Sequence, residues 1–212
     1  MVKSSQSVTF VQYSGDFADT ALRLGSGGKE TYRAQRYTVE FVERLIQKFA
    51  KVSVVTAFTP TAYDVMLPSG VRAIGAGLAT DWDTRLINSL VASTTPDRVV
   101  LRTPILGLLR GTVRLRVPTI AMLADSFHGQ TLKDVLMRAL IVHYLNAKCI
   151  EIVGNHGRNA ARQLVEAGVR KDKVLAYDYP AVNTPSERPA KDVKPGLEFV
   201  FRATVKLGDP LE

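Results

Sequence analysis

The fold is decided in residues 149–177, which read CIEIVGNHGRNAARQLVEAGVRKDKVLAY. This stretch begins with an apolar run of strand length, CIEIVG, and ends with another, KVLAY. Between them, GRNAARQLVEAG (157–168) has the length and period of a helix, and Gly168 is a typical residue to end it. A strand, a helix and a strand with short connections predict two parallel strands joined by a crossover helix.

The same alternation of strand-length and helix-length segments runs through the first 178 residues. Near-continuous β-branched strands separated by helices are typical of a parallel sheet that is covered on both faces. We therefore predict an α/β fold, a doubly wound, Rossmann-like parallel sheet, whose ligands bind outside the carboxyl ends of the strands. The other predicted strands are 8–13, 52–58, 71–75, 98–102 and 118–124, and the other predicted helices are 31–50, 83–94 and 131–148.

The composition excludes several classes of protein. The 212 residues are 46% hydrophobic and 23% charged, which is typical of a soluble globular protein and not of a disordered chain. No apolar stretch approaches the ~18 residues of a membrane-spanning helix, and the first residues lack a secretory signal, so we expect a cytoplasmic protein. The single cysteine, Cys149, excludes an internal disulfide and a thiolate metal cage, and we predict no metal and no cofactor.

The chain is basic, with 28 Lys and Arg against 20 Asp and Glu and a formal net charge of +8. An anionic partner and a plain basic surface explain this balance equally well. The densest local set is Arg102, Arg110, Arg114 and Arg116, and the charges otherwise spread along the chain without a long run. A nucleic-acid partner is therefore not expected.

A glycine-rich segment, GSGGKE (25–30), precedes the first predicted long helix, where backbone amides and the helix dipole can hold a phosphate. Glu30 stands where the P-loop needs Ser or Thr and where the dinucleotide turn needs its third glycine, so neither fingerprint fits. We expect residues 15–28 to form a long, mobile loop in which Gly27 and Gly28 contact an anion. A plain flexible connection is the alternative.

Polar residues follow the apolar strand PTIAMLA, in the segment LADSFHG (123–129). Asp125, Ser126 and His128 stand where the cleft is expected, and a carboxylate or an imidazole there can bind a substrate hydroxyl or act as a base. We assign Asp125 and His128 to catalysis and Ser126 to the cleft. The alternative is that Asp125 or Ser126 caps a local turn and His128 is solvated.

Further candidates for the cleft follow other strands of the predicted sheet. Asp16 comes soon after the first strand, and GNHGRNAAR begins the last predicted helix. Asn155 is a good N-cap for that helix, and the cap alone explains it, whereas His156 and Arg158 in the first turn can meet an anion in the cleft. His143 lies among leucines and isoleucine in its helix, which favours a packed, structural histidine.

Three segments follow one another in order along the chain: GSGGKETYRAQ after the first strand, PTIAMLADSF before a long helix, and IVGNHGRNAARQLVEAGVRKDKVLAYDYP before a proline-rich stretch. This order resembles the N-terminal half of a two-domain GT-B glycosyltransferase, and it is most similar to the large retaining glycosyltransferase family 4. The resemblance covers roughly residues 7–201 and rests on short motifs taken together.

The resemblance implies how the two substrates are shared between two domains. In such enzymes the sugar acceptor binds mainly to the N-terminal domain and the nucleotide-sugar donor mainly to the C-terminal domain. The glycine loop approaches the donor phosphates, which implies that role for Gly27 and Gly28. The loop after PTIAMLA often supplies a histidine to the donor sugar, and here Asp125 holds the matching position with His128 three residues later.

We therefore predict an acceptor-side domain at 1–178, a proline-rich linker at 179–196 and the opening strand of a missing donor domain at 197–212. Such a chain is the acceptor-binding half of an enzyme that moves a sugar from a nucleotide-sugar donor to a glycan or lipid-linked acceptor. We expect an isolated domain or a truncated product, inactive alone, with peripheral contact at the inner membrane face. Two alternatives stay open: a non-catalytic Rossmann-like module that binds a polyanion or a protein, and a sugar-nucleotide epimerase-type enzyme.

Overall fold

The residues described by the computed structural model are 4–13, 15–32, 35–124 and 131–177, and they form an eight-stranded sheet. Its strands are β1 Ser4–Gln12, β2 Phe49–Phe58, β3 Ala62–Met66, β4 Arg72–Leu78, β5 Arg98–Leu101, β6 Thr119–Met122, β7 Ile150–His156 and β8 Val174–Tyr177. The predictions that lie outside the described residues concern the linker 179–196, the strand 197–212, Asp125, Ser126 and His128.

The strand order is β3-β4-β2-β1-β5-β6-β7-β8. Strand β3 is antiparallel to β4, and the other neighbouring strands run parallel. In the middle of the sheet, Val11 lies opposite Val55 of β2 and Leu101 of β5. This arrangement confirms the predicted doubly wound, Rossmann-like α/β fold.

Six α-helices connect the described strands: α1 Phe17–Gly25, α2 Gln35–Arg44, α3 Thr84–Ser93, α4 Leu106–Leu115, α5 Leu132–Leu145 and α6 Gly157–Glu166. Helices α3 to α6 bury apolar side chains such as Ile87 and Leu109 against one face of the sheet, which we call the first face. Helices α1 and α2 bury Phe17, Leu24 and Val39 against the second face. The core therefore consists of two apolar layers separated by the sheet.

Helix α1 lies within the segment that was expected to be a long, mobile loop. Asp16 caps its N-terminus by accepting a hydrogen bond from the Asp19 N–H, at 3.2 Å from N to Oδ1. Its side chains Phe17 and Leu24 are buried. The loop prediction for residues 15–28 is therefore wrong. An amphipathic helix of this length gains its stability from packing on the sheet, which the local sequence does not show.

The predicted helix 31–50 is too long at both ends. The structure has α2 at Gln35–Arg44, a single 3₁₀ turn at Leu45–Gln47, and then β2 from Phe49. Phe49 pairs with Ser4 of β1, so it belongs to the sheet although its position continues the helical period. Pairing with a distant strand has overridden the local pattern.

Helix α4 is one element that the sequence patterns did not predict, because two glycines interrupt its short sequence, LGLLRGTVRL. These glycines allow α4 to approach α3 closely. Asn88 Nδ2 of α3 donates a hydrogen bond to Gly107 O at 3.1 Å, and a methyl group at Gly111 would overlap the Asn88 amide. The glycines therefore serve helix packing here.

Helix α5 begins with a capping box between Thr131 and Asp134. Only the second half of this helix is anchored in the core, through Val142 and Leu145. His143 is exposed and contacts the ring of its neighbour Tyr144. The prediction that His143 is packed inside the protein is therefore wrong.

Candidate functional site

The strand order reverses between β1 and β5. Strands β2 and β4 lie beyond β1, whereas β6, β7 and β8 lie beyond β5. In doubly wound sheets, the crevice outside the carboxyl ends of two such strands is the usual place for a ligand. Here β1 ends at Gln12 and β5 ends at Leu101, so the residues that follow them border this crevice.

Arg102, directly after β5, carries a positive charge at the crevice. Its Nη1 atom lies 3.5 Å from Gln12 Oε1 and 3.5 Å from Thr38 Oγ1. Its backbone N–H donates to Val11 O at 2.9 Å. The guanidinium is thus held between β1 and α2, and a guanidinium held at such a place can bind a carboxylate or phosphate through two hydrogen bonds.

Gln12 links the end of β1 to the turn before α1. Its side chain is buried, and its Nε2 atom donates to Gly15 O at 3.4 Å. Gly15 has a φ of +73°, and a Cβ there would lie 2.8 Å from the hydroxyl oxygen of Tyr32. The turn therefore needs glycine, since another residue would be strained and would push Tyr32 away.

A second polar group, beside Gln12, joins α1 to the start of α2. Gln35 is buried, and its Oε1 accepts hydrogen bonds from the Thr31 N–H at 2.8 Å and the Thr31 hydroxyl at 3.1 Å. Its Nε2 lies 3.4 Å from Thr20 Oγ1. Because buried polar groups are costly when unpaired, this group fixes the entry into α2 and hence the position of Thr38.

Asp16, predicted for the acceptor cleft, already has two partners in the structure. Besides capping α1, its Oδ1 accepts a hydrogen bond of 2.6 Å from the hydroxyl of Tyr63. Burial, and then the bond to Asp16, raise the pKa of Tyr63 far above its ordinary value, so this hydroxyl remains a donor. Asp16 therefore ties α1 to β3, and its contact with an acceptor stays a prediction.

Gly27 and Gly28 lie at the C-terminal end of α1, where the helix dipole is negative. The Gly27 N–H donates to Leu24 O at 3.1 Å, and the Gly28 N–H donates to Arg23 O at 2.8 Å. The expected position at a helix start is therefore wrong. Contact with donor phosphates stays a prediction, and it would require these two amides to leave their present acceptors.

Asn155 is part of β7 and fully buried, so it is not the predicted N-cap of α6; that position belongs to His156. The Asn155 side chain instead accepts a hydrogen bond of 2.8 Å from the His156 N–H. The His156 ring contacts the ring of Tyr177, with centroids 4.5 Å apart, at the ends of β7 and β8. Arg158 is exposed in the first turn of α6.

The predicted site residues thus fall into two groups along the carboxyl edge. Asp16 lies at the β1 end, and His156 and Arg158 lie at the β7 end. The described residues of the loop after β6 end with Leu123 and Ala124, and the Leu123 carbonyl accepts a hydrogen bond of 2.9 Å from the Tyr177 hydroxyl. Asp125, Ser126 and His128 follow outside the described residues.

The residues that the sequence analysis missed are Gln12, Thr38 and Arg102, at the reversal point itself. A signal for Gln12 was present, since its amide ends the otherwise apolar run VTFVQ. Arg102 was noticed as a basic residue and as a strand end. Its pairing with Thr38 depends on how α2 packs, which local patterns do not reveal.

An apolar cavity of about 380 Å³ lies on the second face, beside the polar crevice. Phe10, Phe41 and Met122 belong to its lining. Thr38 and Arg102, two of the three crevice residues, line it as well. Such a lining suits an apolar group and not a sugar, whose hydroxyls would lose their hydrogen bonds there. The polar crevice is therefore the better candidate for sugar chemistry.

Within residues 4–13, 15–32, 35–124 and 131–177, no three His, Cys, Asp or Glu side chains are grouped so that they could hold a metal ion. Among the helices of this same part of the chain, none has the length and apolarity needed to cross a membrane.

Comparison with known proteins shows similarity in structure only. No family model matches the chain, and no curated protein matches it in sequence. The solved structure of Anabaena Alr3699/HepE in complex with UDP and glucose matches 85% of this chain with a TM-score of 0.50 and 12% identity. Complexes of the same protein with UDP and with UDP-glucose match with TM-scores of 0.48, at 12% and 13% identity.

The match covers 47% of the HepE chain in each case, so the present chain spans about half the length of that protein. At this identity the likeness shows the fold alone. It supports the GT-B type of fold that the sequence indicated, and it does not distinguish family 4 within that type.

Proposed function

We propose that this chain is the acceptor-binding half of a glycosyltransferase that moves a sugar from a nucleotide-sugar donor to a glycan or lipid-linked acceptor. The observation that carries the proposal is the polar crevice of Gln12, Thr38 and Arg102 at the reversal point of a GT-B type sheet. The similar HepE structure was solved with UDP and glucose, which supports a nucleotide sugar as the donor.

The crevice offers the groups that acceptor binding needs. The amide of Gln12 and the hydroxyl of Thr38 can exchange their present hydrogen bonds for bonds to sugar hydroxyls, while Arg102 attracts an anionic group of either substrate. Because Gln12 is buried, a ligand that displaces its present partners without offering a matching hydroxyl would leave the Gln12 amide unpaired. Sites of that kind discriminate strongly between related substrates.

The predicted roles of the other residues belong to the same proposal. Asp125 and His128 are the proposed catalytic pair. Transfer also requires a donor held in line and a diphosphate leaving group stabilised by cationic groups and helix amides. The proposed cleft further contains Asp16, Ser126, Asn155, His156 and Arg158, with Gly27 and Gly28 toward the donor phosphates.

We propose that these tasks are shared between two parts of the protein, which divide at about residue 178. Residues 1–178 form the proposed acceptor-side domain, residues 179–196 the linker, and residues 197–212 the first strand of the donor side. Because the donor half is proposed to supply the leaving-group contacts, we expect little transfer by this chain alone. The proposed location is the cytoplasm, with peripheral contact at the inner membrane face.

Calorimetry on the full chain tests the proposal, with glucose, N-acetylglucosamine, maltose and UDP-glucose as probes. We expect saturable binding of at least one saccharide with weak dependence on salt. Arg102→Gln should weaken that binding by roughly tenfold or more, since a charged hydrogen bond is lost. Arg44→Gln is the matched control, because Arg44 is exposed at the far end of α2, and it should bind as the wild type does.

Two results would contradict the proposal. One is the absence of saccharide binding by a folded chain. The other is binding of heparin whose affinity falls steeply with salt, which would favour the polyanion-binding module.

The variant Asp125→Asn adds a separate test of the catalytic assignment: it should barely change stability and should weaken saccharide binding. Unfolding without any loss of binding per folded molecule would make Asp125 a structural cap.

A further inference from the structure

The apolar cavity on the second face has a floor made by three neighbouring strands, β1, β5 and β6. Alternate residues of a strand point to the same face of a sheet, so every second residue of these strands contributes to the floor. The contributing apolar side chains are Val8, Phe10, Val100, Ile120 and Met122. The floor is therefore continuous across the strands on both sides of the point where the strand order reverses.

The wall of the cavity is formed by one side of α2. The rings of Tyr37 and Phe41, one turn apart, are stacked with centroids 6.3 Å apart, and Phe41 meets Phe10 of the floor edge to face at 6.2 Å. Phe41 is nevertheless 45% exposed, so the cavity is accessible beside this ring. Its volume of about 380 Å³ is within the range of roughly 300–1,000 Å³ that is typical of sites for small organic molecules.

Two arginines line the cavity at opposite ends of β5. Arg98 begins this strand at the amino edge of the sheet, and Arg102 follows its last residue at the carboxyl edge. The four residue steps between them correspond to roughly 13 Å along the strand. None of the described residues that line the cavity is acidic. The cavity is therefore an elongated apolar space with a cation near each end.

The two arginines differ in their surroundings. Arg98 forms an ion pair with Glu151, with 2.6 Å between Nη1 and Oε2, which offsets its charge. Arg102 holds Gln12 and Thr38 at 3.5 Å, the long end of the range for hydrogen bonds. Bonds of this length are weak, and a guanidinium binds a phosphate through two strong ones. An anionic group in the cavity is therefore expected at Arg102.

The cavity and the polar crevice share two residues. Thr38 and Arg102 line the cavity and also belong to the crevice, which Gln12 completes. From the cavity toward the crevice, the chemistry thus changes from apolar side chains to a cation and then to amide and hydroxyl groups. A hydrocarbon chain, a phosphate and a sugar follow one another in the same order in a lipid phosphate that carries a sugar.

We propose that the cavity holds the hydrocarbon chain of a lipid phosphate and that Arg102 binds its phosphate. Burial of the chain against the floor and wall supplies affinity, and the guanidinium fixes which end of the molecule faces the crevice. The inference rests on the proposed function, within which it selects a lipid-linked acceptor over a free glycan. Binding of the chain and the phosphate requires no sugar, so it is tested separately.

A hydrocarbon fits this cavity better than a protein segment does. A peptide placed against the floor would bury backbone N–H and C=O groups, and the apolar side chains of floor and wall offer them no hydrogen bonds. A hydrocarbon has no such groups. A second copy that used the same surface would present a concave face too, and two cavities cannot fill each other.

Calorimetry of the full chain with decyl phosphate, below the concentration at which it forms micelles, tests the inference. We expect saturable binding of one molecule per chain. Decanol lacks the phosphate and inorganic phosphate lacks the chain, so each should bind roughly tenfold more weakly or worse. Phe41→Glu should lower the affinity for decyl phosphate by roughly tenfold or more, because it places a carboxylate beside the hydrocarbon and repels the phosphate.

The orientation of the lipid is tested by the same substitution at both ends of β5. Arg102→Gln should lower the affinity for decyl phosphate by roughly tenfold and leave the affinity for decanol unchanged, since only the phosphate loses a partner. Arg98→Gln should change both affinities little, because the Arg98 side chain is paired with Glu151.

The matched control for Phe41→Glu is Leu22→Glu. Leu22 is an apolar residue of α1 that is 53% exposed and stands apart from the cavity lining, so this variant should bind decyl phosphate as the wild type does. Circular dichroism and thermal unfolding verify that both variants are folded. If Phe41→Glu unfolds, Phe41→Ser, with a smaller change, takes its place.

Four results would overturn the inference. These are a wild-type chain that does not bind decyl phosphate, a folded Phe41 variant that binds it like the Leu22 control, a larger loss with Arg98→Gln than with Arg102→Gln, and a dimer in sedimentation velocity that Phe41→Glu abolishes while the affinity for decyl phosphate is unchanged. A chain that binds saccharides but not decyl phosphate refutes this inference alone, whereas the reverse result refutes the proposed function and leaves a lipid phosphate site.

Discussion

The two faces of the sheet are covered unequally. Four helices, α3 to α6, pack on the first face, and their buried side chains form a continuous apolar layer from Ile87 to Leu164. Two helices, α1 and α2, pack on the second face, mainly over β1, β2 and β4. On that second face, Ile120 and Met122 of β6 are half-buried, and Leu175 of β8 is 54% exposed.

We infer that the two faces of the sheet contribute differently to stability and to ligand binding. The first face buries leucines fully, and the second face has the apolar cavity of about 380 Å³. The polar crevice lies where the two helices of the second face begin, beside Gln12 and Arg102. We infer that the first face supplies most of the folding free energy and that the second face provides space for ligands.

The largest effect is expected in the centre of the first face. Leu109→Ala should lower the free energy of unfolding by about 3 kcal/mol, because a fully buried leucine of α4 would be replaced by a cavity. Urea unfolding followed by circular dichroism measures the change. Leu115→Ala on the same helix, where the leucine is 38% exposed, should cost less than about 1 kcal/mol. Equal losses at both positions would show that burial of α4 in the first face does not determine the cost of the truncation.

A smaller effect is expected on the second face, where a side-chain hydrogen bond holds α1 against β3. Tyr63→Phe removes the 2.6 Å hydrogen bond to Asp16 and should cost about 1–2 kcal/mol near neutral pH. The pKa of Tyr63 is raised above its ordinary value of 10.0, so the bond stabilises fully below that pH. The difference from wild type should shrink only as the pH rises through the folded-state pKa.

Chemical denaturation at neutral pH and at higher pH measures this difference. Tyr13→Phe serves as the control, because Tyr13 is 45% exposed and the loss of its hydroxyl should be nearly neutral. If Tyr63→Phe were as stable as wild type, then packing alone would hold α1 on the sheet.

The smallest effect is expected at the amino edge, where β1 meets the start of β5. The Ser7 N–H and then the Ser7 hydroxyl donate to Asp97 Oδ2, at 2.7 and 2.9 Å, and they hold the pKa of Asp97 below its ordinary value of 3.8. A lowered folded-state pKa means that the carboxylate stabilises the fold above the unfolded-state pKa and stops doing so as the pH falls through the folded-state pKa.

Asp97→Asn should therefore be slightly less stable than wild type at pH above 3.8, and the two should converge in more acidic solution. Because Asp97 is exposed, the difference should be smaller than that of Tyr63→Phe. Thermal unfolding over a series of pH values measures it. A difference that grew on acidification would show that the hydrogen bonds from Ser7 do not favour the charged form.

Some elements could be predicted from residues near in sequence, and others could not. The unit from Ile150 to Tyr177 was predicted because each of its elements has an unbroken local pattern that ends at a glycine or a short turn. Helix α4 was missed because Gly107 and Gly111 lower its local propensity, and the benefit of these glycines lies in contact with Asn88 of another helix.

The candidate site shows the same limit. The rule that ligands bind at the carboxyl ends of strands directed attention to the residues after β1, β5, β6 and β7. It could not show that the strand order reverses between β1 and β5, so Gln12, Thr38 and Arg102 were not singled out together. The glycines at 27 and 28 were placed at a helix start, whereas they end α1.

The sequence by itself determined that this protein is a parallel α/β sheet, because β-branched runs of strand length alternate with segments of helical period, and both patterns depend on side chains within a few residues of one another. Only the tertiary structure decided which face each helix covers, which strands meet at the crevice, and which half of α5 stays outside the core. These features depend on contacts between residues far apart in the chain, such as Arg102 with Thr38, whose energies appear only once the sheet has formed.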